Sequence, residues 1–514
     1  MTTSYRKQTF LVLGEMLLLF LAVSIITEFP LARRLVQSWT SSDRAPLKHS
    51  ATEAASPSPG PDHPDGRRAA PPQKPAIPTR ELVRALIRVL IIIATCQLCY
   101  FFNDLYDWRV TSNTNQTAIL LLQSVAHAAI ILAILYYAFM AVDRVFFDGE
   151  KIVQEAYGVH PLIAGFDLMV IYPLSYYYRI AFHLSVKWRL NERILFVGVS
   201  PMSHTIEKEL SERKDPGYEI VGYLAREEPS QLALPPDRRL LGSFDKMHEV
   251  ARRERVNRMV VTLPERRGNL PILELLNCRL GGIRIEEGEL LYERITGKIA
   301  IEKLRPSYLI FSEGFHRSKF NYIFKRAMDV GVSVLGLLLS LPVSLATALA
   351  IKLESPGPIL FRQTRVGKDG KVFTLYKFRS MREDAEAHTG PVWAQTNDAR
   401  VTRIGRIIRL LRIDEIPQMW NVVRNEMSFV GPRPERPFFV EELKREIPYY
   451  MERLVVKPGI TGWAQINYRY GSTKDDAIEK LQYDLYYIKN MSIFFDIVII
   501  LSTIKVILLR RGAA

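Results

Sequence analysis

Apolar positions in this chain come in two textures, long unbroken runs and short segments alternating with charge. Four runs near 9–29, 83–102, 117–142 and 161–184 approach the length of about 20 residues that a helix needs to cross a bilayer. "AILLLQSVAHAAIILAILYYAFM" is the cleanest of them. "TFLVLGEMLLLFLAVSII" follows Arg6-Lys7 and fits a signal peptide or a retained anchor. No small-residue cleavage site follows it and further runs do, which favours the anchor. The second run carries Arg84 and Arg88 near its start, where long side chains reach the interface. The fourth contains Asp167 and Arg179; an acid there is either functional or paired with a neighbouring helix, and pairing is the favoured reading. Residues 35–80, rich in Pro, Ser and Ala and basic, predict a disordered loop. A cytoplasmic N-terminus places that loop outside, against the positive-inside tendency.

From about residue 191 the period shortens. "RILFVG", "YEIVGYL", "VNRMVVTLP" and "GIRIEE" read as strands, with "HTIEKELSER" and "LPILELLNC" as helices between them. That alternation predicts a parallel α/β domain of Rossmann-like type. A dinucleotide site places GxGxxG after the first strand; "GVSPMSH" keeps only Gly198. The domain therefore reads as regulatory or structural rather than cofactor-binding.

Beyond Lys325-Arg326, "AMDVGVSVLGLLLSLPVSLATALAIKL" is uncharged from Val330 to Ile351 and has Pro342 at its middle. Proline removes a donor and kinks a helix. The run is either a kinked transmembrane helix or a re-entrant one that returns to the same face. Four earlier spans and basic residues at both ends favour the re-entrant form. Next, "ILFRQTRVG" and "KVFTLYKFRSM" flank the Asp-Gly of "KDGK" and predict a hairpin. Lys377 and Arg379 share a face by period two, as solvated bystanders or as phosphate ligands. In "VTRIGRIIRLLRI", Ile404, Ile407, Ile408 and Leu411 form one helical stripe with arginines around it. The stripe suits a membrane interface and a packed core equally.

Asp414 and Glu415 end that helix, amid Arg400, Arg403, Arg406, Arg409, Arg412, Arg424, Arg433 and Arg436. Adjacent acids repel unless a cation offsets them. Arginine can do this, and so can a divalent metal such as Mg²⁺, which uses one or two carboxylates plus water and phosphate. A carboxylate can also attack phosphorus while arginines stabilise the transferring group. Composition agrees with phosphorylated or lipid partners. Net charge is +15, and apolar runs alternating with charged stretches suit a membrane protein with soluble domains rather than a nucleic-acid binder. Cys96, Cys99 and Cys278 are too few and too odd for a disulfide framework, and the CxxC of "TCQLCY" lies in an apolar run, as core residues do.

"KRAMDVGVSVLGLLLSLP", "ESPGPILFRQTRVGKDGKVFTLYKFRSM", "RIDEIPQMWNVVRNEMSFVGPRPERP", "KPGITGWAQIN" and "YDLYYIKNMSIFFDI", in this order over about 320–510, closely resemble the bacterial sugar transferase family, the monotopic phosphoglycosyl transferases. The upstream layout is similar to the large exopolysaccharide-initiating members. "YERITGKIAIEKLRPSYLIFSEGF" and "GPVWAQTND" are similar to an exosortase-associated branch. The resemblance implies transfer of sugar-1-phosphate from a UDP-sugar to undecaprenyl phosphate, with UMP released. It implies Asp414 as nucleophile and Glu415 as a holder of Mg²⁺, with Asp414 beside it on the metal. It places Lys377, Arg379, Arg409, Pro432, Arg433, Pro434 and Asp484 on the substrate side, the role of Asp484 left open. Ser340 and Pro342 stand where the family has an adjacent Ser-Pro pair, with Leu341 between them.

The implied architecture is a membrane α-helical region over 1–185, a Rossmann-like α/β domain over 186–315, and an α+β monotopic catalytic domain over 320–514. Its re-entrant helix falls near 327–353, and the terminal "IFFDIVIILSTIKVILLRR" lies along the membrane. The expected setting is the bacterial inner membrane, catalytic domain on the cytoplasmic face, with membrane lipid and a second copy of the chain as further partners and no nucleic acid. A catalytically inactive scaffold and a nucleotide-sugar oxidoreductase are the competing readings. The retained Asp-Glu pair opposes the first, and the missing glycines oppose the second.

Overall fold

The computed structural model describes residues 3–28, 79–107, 111, 114–189, 192–213, 218–226, 239–263, 269–301, 308, 314–315, 319–382, 400–468, 471 and 473–508. Most of the 35–80 loop, and all of "GPVWAQTND", lie outside them. The chain divides into two units, Met1–Asn191 with Arg213–Gly217, and Glu192–Glu212 with Tyr218–Ala514.

The first unit is helical: α1 (Thr3–Glu28), α2 (Thr79–Phe102), α3 (Thr114–Phe146) and α4 (Pro161–Arg189). Leu19, Ile92, Tyr100, Leu121, Leu132 and Ile171 form its core, and Cys96 and Cys99 are free thiols within it. Among the described residues, three helical stretches are long and apolar enough to cross a membrane: Val83–Phe102, Thr114–Phe146 and Phe320–Glu354. The first and fourth runs also fold as helices, but polar residues interrupt them. The apolar stretch of α1 is the shorter Phe10–Ser24. The two helices share their polar burden. Arg179 of α4 donates to Glu15 of α1 at 3.0 and 2.6 Å and to the Leu105 carbonyl at 2.6 Å. A buried charge needs such a partner. Asp167 does not pair as expected: it is fully buried and, among the described residues, neither carboxylate oxygen has a hydrogen-bond partner.

The second unit begins with β1 (Glu192–Val197), α5 (Pro201–Arg213), β2 (Tyr218–Leu224), β3 (Leu240–Gly242), α6 (Met247–Arg253), β4 (Arg258–Val261), α7 (Ile272–Leu280), β5 (Arg284–Glu287) and α8 (Gly288–Thr296). The sheet is parallel with order β3-β2-β1-β4-β5. This is the doubly wound order expected of βαβ units. Four of the five strands match the predicted runs. β3 has three residues, too few for an alternation to register. Apolar side chains cover both faces of the sheet, Leu195, Val197 and Met259 on one and Ile194, Phe196 and Val260 on the other.

The remainder is built on α9 (Lys319–Glu354), the hairpin β6 (Leu360–Val366) and β7 (Val372–Phe378), α10 (Arg403–Leu410), α11 (Gln418–Val423), β8 (Ser428–Val430), α12 (Pro437–Glu446), β9 (Gly459–Thr461), α13 (Trp463–Asn467), α14 (Lys474–Asn490) and α15 (Ile493–Leu508). Asp369 and Gly370 turn the hairpin with φ of 56° and 77°. Positive φ at both central positions is what a tight hairpin turn requires.

Both ends of α9 are fastened to this same fold. Near its start Lys325 donates to Asp496 at 2.7 Å, Arg326 to the carbonyls of Val422 and Val423 at 2.7 and 3.0 Å, and Asp329 accepts from Ser428 and the Phe429 amide at 2.7 and 3.1 Å. At its end Ile351 packs with Phe378 and Ile408, and Glu354 accepts from the amide of Arg403 at 2.7 Å. Between the anchors Leu335, Leu338, Leu339, Leu341 and Leu345 are exposed, around the interior Pro342. A straight helix of 36 residues measures about 54 Å. Its two ends nevertheless meet α10 and α11, consecutive short helices.

The apolar stripe of α10 is packed over only part of its length. Ile404 and Ile408 pack against Ile351 and Phe378, while Ile407 and Leu411 are exposed.

Candidate active site

The acids do not terminate α10, as the pattern implied. That helix stops at Leu410, Arg412 takes a left-handed conformation (φ 56°), and Asp414 and Glu415 lie in a separate 3₁₀ turn, Ile413–Glu415. The reversal carries both carboxylates inward, leaving each under a tenth exposed.

Each acid meets a different environment. Glu415 Oε1 accepts from Arg433 at 2.9 Å and from Lys377 at 3.2 Å, with Arg412 at 3.6 Å. Burial opposes its charge, yet Lys377, Arg433 and Arg412 together hold its carboxyl well below the usual range. Asp414 has Lys377 at 3.8 Å, beyond hydrogen-bond reach, and makes no hydrogen bond among the described residues. Burial pushes its carboxyl up, Lys377, Arg409 and Arg433 pull against that, and Glu415 adds to the rise. The pair is thus polarised, one acid neutralised by cations and the other left with unshared lone pairs. A carboxylate free of hydrogen bonds is the better nucleophile and the better metal ligand.

Lys377 comes from β7 and Arg433 from the Pro432-Arg433-Pro434 loop. That loop is pinned at three successive carbonyls. Pro432 accepts from the Gly459 amide at 2.9 Å, Arg433 from Arg453 at 3.0 Å and Pro434 from Arg365 at 3.0 Å. With its backbone fixed, Arg433 reaches both Glu415 and Gln465, the latter at 2.9 Å. Gly459 permits the approach of the two loops, since a Cβ there would lie 2.1 Å from the Gly431 amide nitrogen.

Arg379 leaves the shared face predicted for it. The strand ends at Phe378, and Arg379 is buried with bonds to the carbonyls of Ser355 and Pro356 and to the Ser355 hydroxyl, at 2.7 to 2.9 Å. It secures the turn after α9 instead of facing the acids. Arg409 donates to Ser380 at 2.7 Å and acts on Asp414 through its charge. Asp484 lies behind the site, buried on α14 and bound to Arg453 at 2.8 and 3.1 Å. Burial pushes its carboxyl up to about 6 despite that partner. Its influence on the acids runs through Arg453 and the Arg433 carbonyl.

Three residues of this assembly escaped the sequence reading: Arg453, Gln465 and Gln418. Gln418 is buried, its side-chain nitrogen has no partner among the described residues, and it follows Asp414 by four positions and Glu415 by three. Such spacing brings side chains to one face of a helical turn, the signal that could have found it.

No cluster of three or more Asp, Glu, His or Cys residues suited to a metal occurs among the described residues. The Asp414–Glu415 pair still fits Mg²⁺, which needs only one or two carboxylates when substrate phosphate completes its shell.

Residues 320–510 match the model of a family described as bacterial sugar transferase. A UDP-N-acetylgalactosamine-undecaprenyl-phosphate N-acetylgalactosaminephosphotransferase of Aeromonas hydrophila is 45% identical over 239 residues, 46% of this chain and 56% of that protein. An exopolysaccharide production protein of Rhizobium leguminosarum bv. phaseoli is 43% identical over 190 residues, 35% of this chain and 94% of that one. This chain belongs to the bacterial sugar transferase family. A UDP-glucose:undecaprenyl-phosphate glucose-1-phosphate transferase of Xanthomonas campestris pv. campestris is 34% identical over 331 residues, 62% of this chain and 66% of that protein. The chain spans about half to two thirds of the length of the first and third of these relatives. The family match contains the acids, the pinned Pro-Arg-Pro loop and both anchors of α9, so the whole site belongs to the shared part.

Proposed function

We propose that this transferase moves sugar-1-phosphate from a UDP-sugar to undecaprenyl phosphate, giving undecaprenyl-diphosphate-sugar and UMP, the opening step of exopolysaccharide assembly. The observation that carries the reading is the division of labour between the acids, with Glu415 held by three cations and Asp414 without a hydrogen bond among the described residues. In the first step an Asp414 oxygen attacks the phosphorus that bears the sugar. The bond from that phosphorus to the bridging oxygen breaks, and UMP leaves with the electron pair. In the second, an oxygen of the lipid phosphate attacks the same phosphorus and the Asp414 carboxylate departs. Lys377 and Arg433 lie where charge on the diphosphate must be offset, and such donors act most strongly in a buried site. Asp414 and Glu415 would hold Mg²⁺, which would supply further positive charge beside the phosphates.

The anchoring of both ends of α9, with exposed leucines and Pro342 between, supports a re-entrant helix that brings the site to a membrane surface where a lipid phosphate is met. A UDP-sugar donor places that surface on the cytoplasmic face of a bacterial inner membrane.

The test is UMP release from UDP-glucose, UDP-galactose and their N-acetylated counterparts, with undecaprenyl phosphate and Mg²⁺, for the native chain and Asp414→Asn. Release from one donor, lost in the variant, is the expected result. No release from any donor by folded protein would overturn the proposal in favour of an inactive scaffold, and equal release by the variant would remove Asp414 as nucleophile.

A further inference from the structure

The α/β domain reaches the active-site arginine through two side chains of one short helix. α8 ends at Gly297, whose left-handed conformation (φ 69°) closes the helix. The Gly297 carbonyl accepts from the indole nitrogen of Trp463 at 2.8 Å. Two residues further along α13, Gln465 accepts from Arg433, the arginine on Glu415. Trp463 is clamped from its other side by Tyr486 and Phe495, with ring centroids at 6.1 and 4.9 Å. A second connection runs in parallel along α14. Lys298 binds Glu479 at 2.6 Å, the Ile299 amide donates to Gln482 at 3.1 Å, and Glu293 accepts from buried Lys489 at 2.7 Å. The same helix carries Asp484, which holds Arg453 on the Arg433 backbone. Ile299, Ile301 and Tyr308 enter the same apolar core as Leu481 and Leu485. The contacts of Glu293, Gly297, Lys298 and Ile299 join the end of the α/β domain to α13 and α14, the helices that carry Gln465 and Asp484.

We infer that Trp463 and Gln465 are positioning residues through which the end of the α/β domain sets Arg433 for the donor diphosphate. The inference rests on the proposed reaction and adds a task for a domain that lacks the glycines of a nucleotide site. Neither residue touches the reacting atoms. Gln465 orients the guanidinium, and Trp463 orients the helix that carries Gln465. Loss of either therefore loosens Arg433 and raises KM for the UDP-sugar more than it lowers kcat.

The experiment is a double-mutant cycle in the full chain with Trp463→Phe and Gln465→Leu, reading KM and kcat for UMP release and, separately, UDP binding by calorimetry. Trp463→Phe keeps a ring between Tyr486 and Phe495 and removes the donor. Loss of one neutral hydrogen bond predicts a rise in KM of roughly 2- to 10-fold. Loss of the acceptor for a charged group predicts roughly 10-fold or more. If Trp463 acts through Gln465, Trp463→Phe adds little in the Gln465→Leu background. Effects that multiply, with native turnover intact, would overturn the link while leaving the reaction standing. Native protein that neither releases UMP nor binds UDP would remove the reaction and the link with it. Should Trp463→Phe fail to fold, benzothienylalanine at 463, which keeps the bicyclic shape and lacks the N–H, completes the same cycle.

Discussion

Lys377 lies within 4 Å of both acids, and replacing it tests how charge is shared between them. Lys377→Met keeps the aliphatic stem and removes the ammonium. At 3.8 Å from Asp414, a unit charge contributes about 4 kcal/mol at an effective dielectric near 20. Partial exposure of Lys377 reduces that figure. Glu415 retains Arg412 and Arg433 and stays ionised, so most of the change falls on Asp414, left with Arg409 and Arg433 acting by charge alone. The sign follows from linkage. Burial already raises the Asp414 carboxyl and Lys377 opposes that rise. Without Lys377 the carboxyl keeps its proton to higher pH, and less nucleophile is present at neutrality. The acid limb of kcat/KM for UMP release therefore moves upward, and because the two acids are coupled, the limb reports the pair. Loss of a cation from the diphosphate lowers kcat/KM by roughly 10²- to 10³-fold as well. An acid limb that stays in place or moves to lower pH would refute the argument, as would kcat/KM within a factor of two of the native value.

Two further outcomes follow from the packing. Asp484→Asn strands the buried Arg453 guanidinium without its counter-charge, costing about 3–5 kcal/mol; thermal unfolding should show a lower midpoint, and KM for the UDP-sugar should rise because the Arg433 loop loses its clamp. Gln418→Met removes a buried donor that has no partner among the described residues, a group that costs about 1–3 kcal/mol when unsatisfied. Its expected signature is an unchanged or higher unfolding midpoint together with a lower kcat/KM, and a loss of stability would show that the amide serves the fold instead of the substrate.

The fold was legible where a single segment carries its own period. Strands β1, β2, β4 and β5, the Asp-Gly hairpin and the long apolar helices each follow from a local pattern of side chains. β3 and the 3₁₀ turn of the acids were not, being too short to show a period. In the site, Asp414 and Glu415 stood out because like charges side by side need a reason, and Lys377 because it lies near the end of a strand at the right parity. Arg379 shares that parity, yet it goes elsewhere because the chain leaves the strand one residue before it.

Sequence by itself determined the alternation of the α/β domain, the length and apolar composition of the long helices and the identity of the acidic pair. These depend on backbone geometry and on the spacing of neighbours, which any local stretch expresses. Only tertiary structure decided which cations serve which acid, that Asp484 stands behind Arg453, that Arg179 answers Glu15 and leaves Asp167 without a partner among the described residues, and that Trp463 ties the α/β domain to Arg433. Each of these pairs residues that are distant in the chain, and an arginine carries the same charge and reach whichever acid it meets. The partner is selected by where packing sets the backbone, and that selection exists only in the assembled fold.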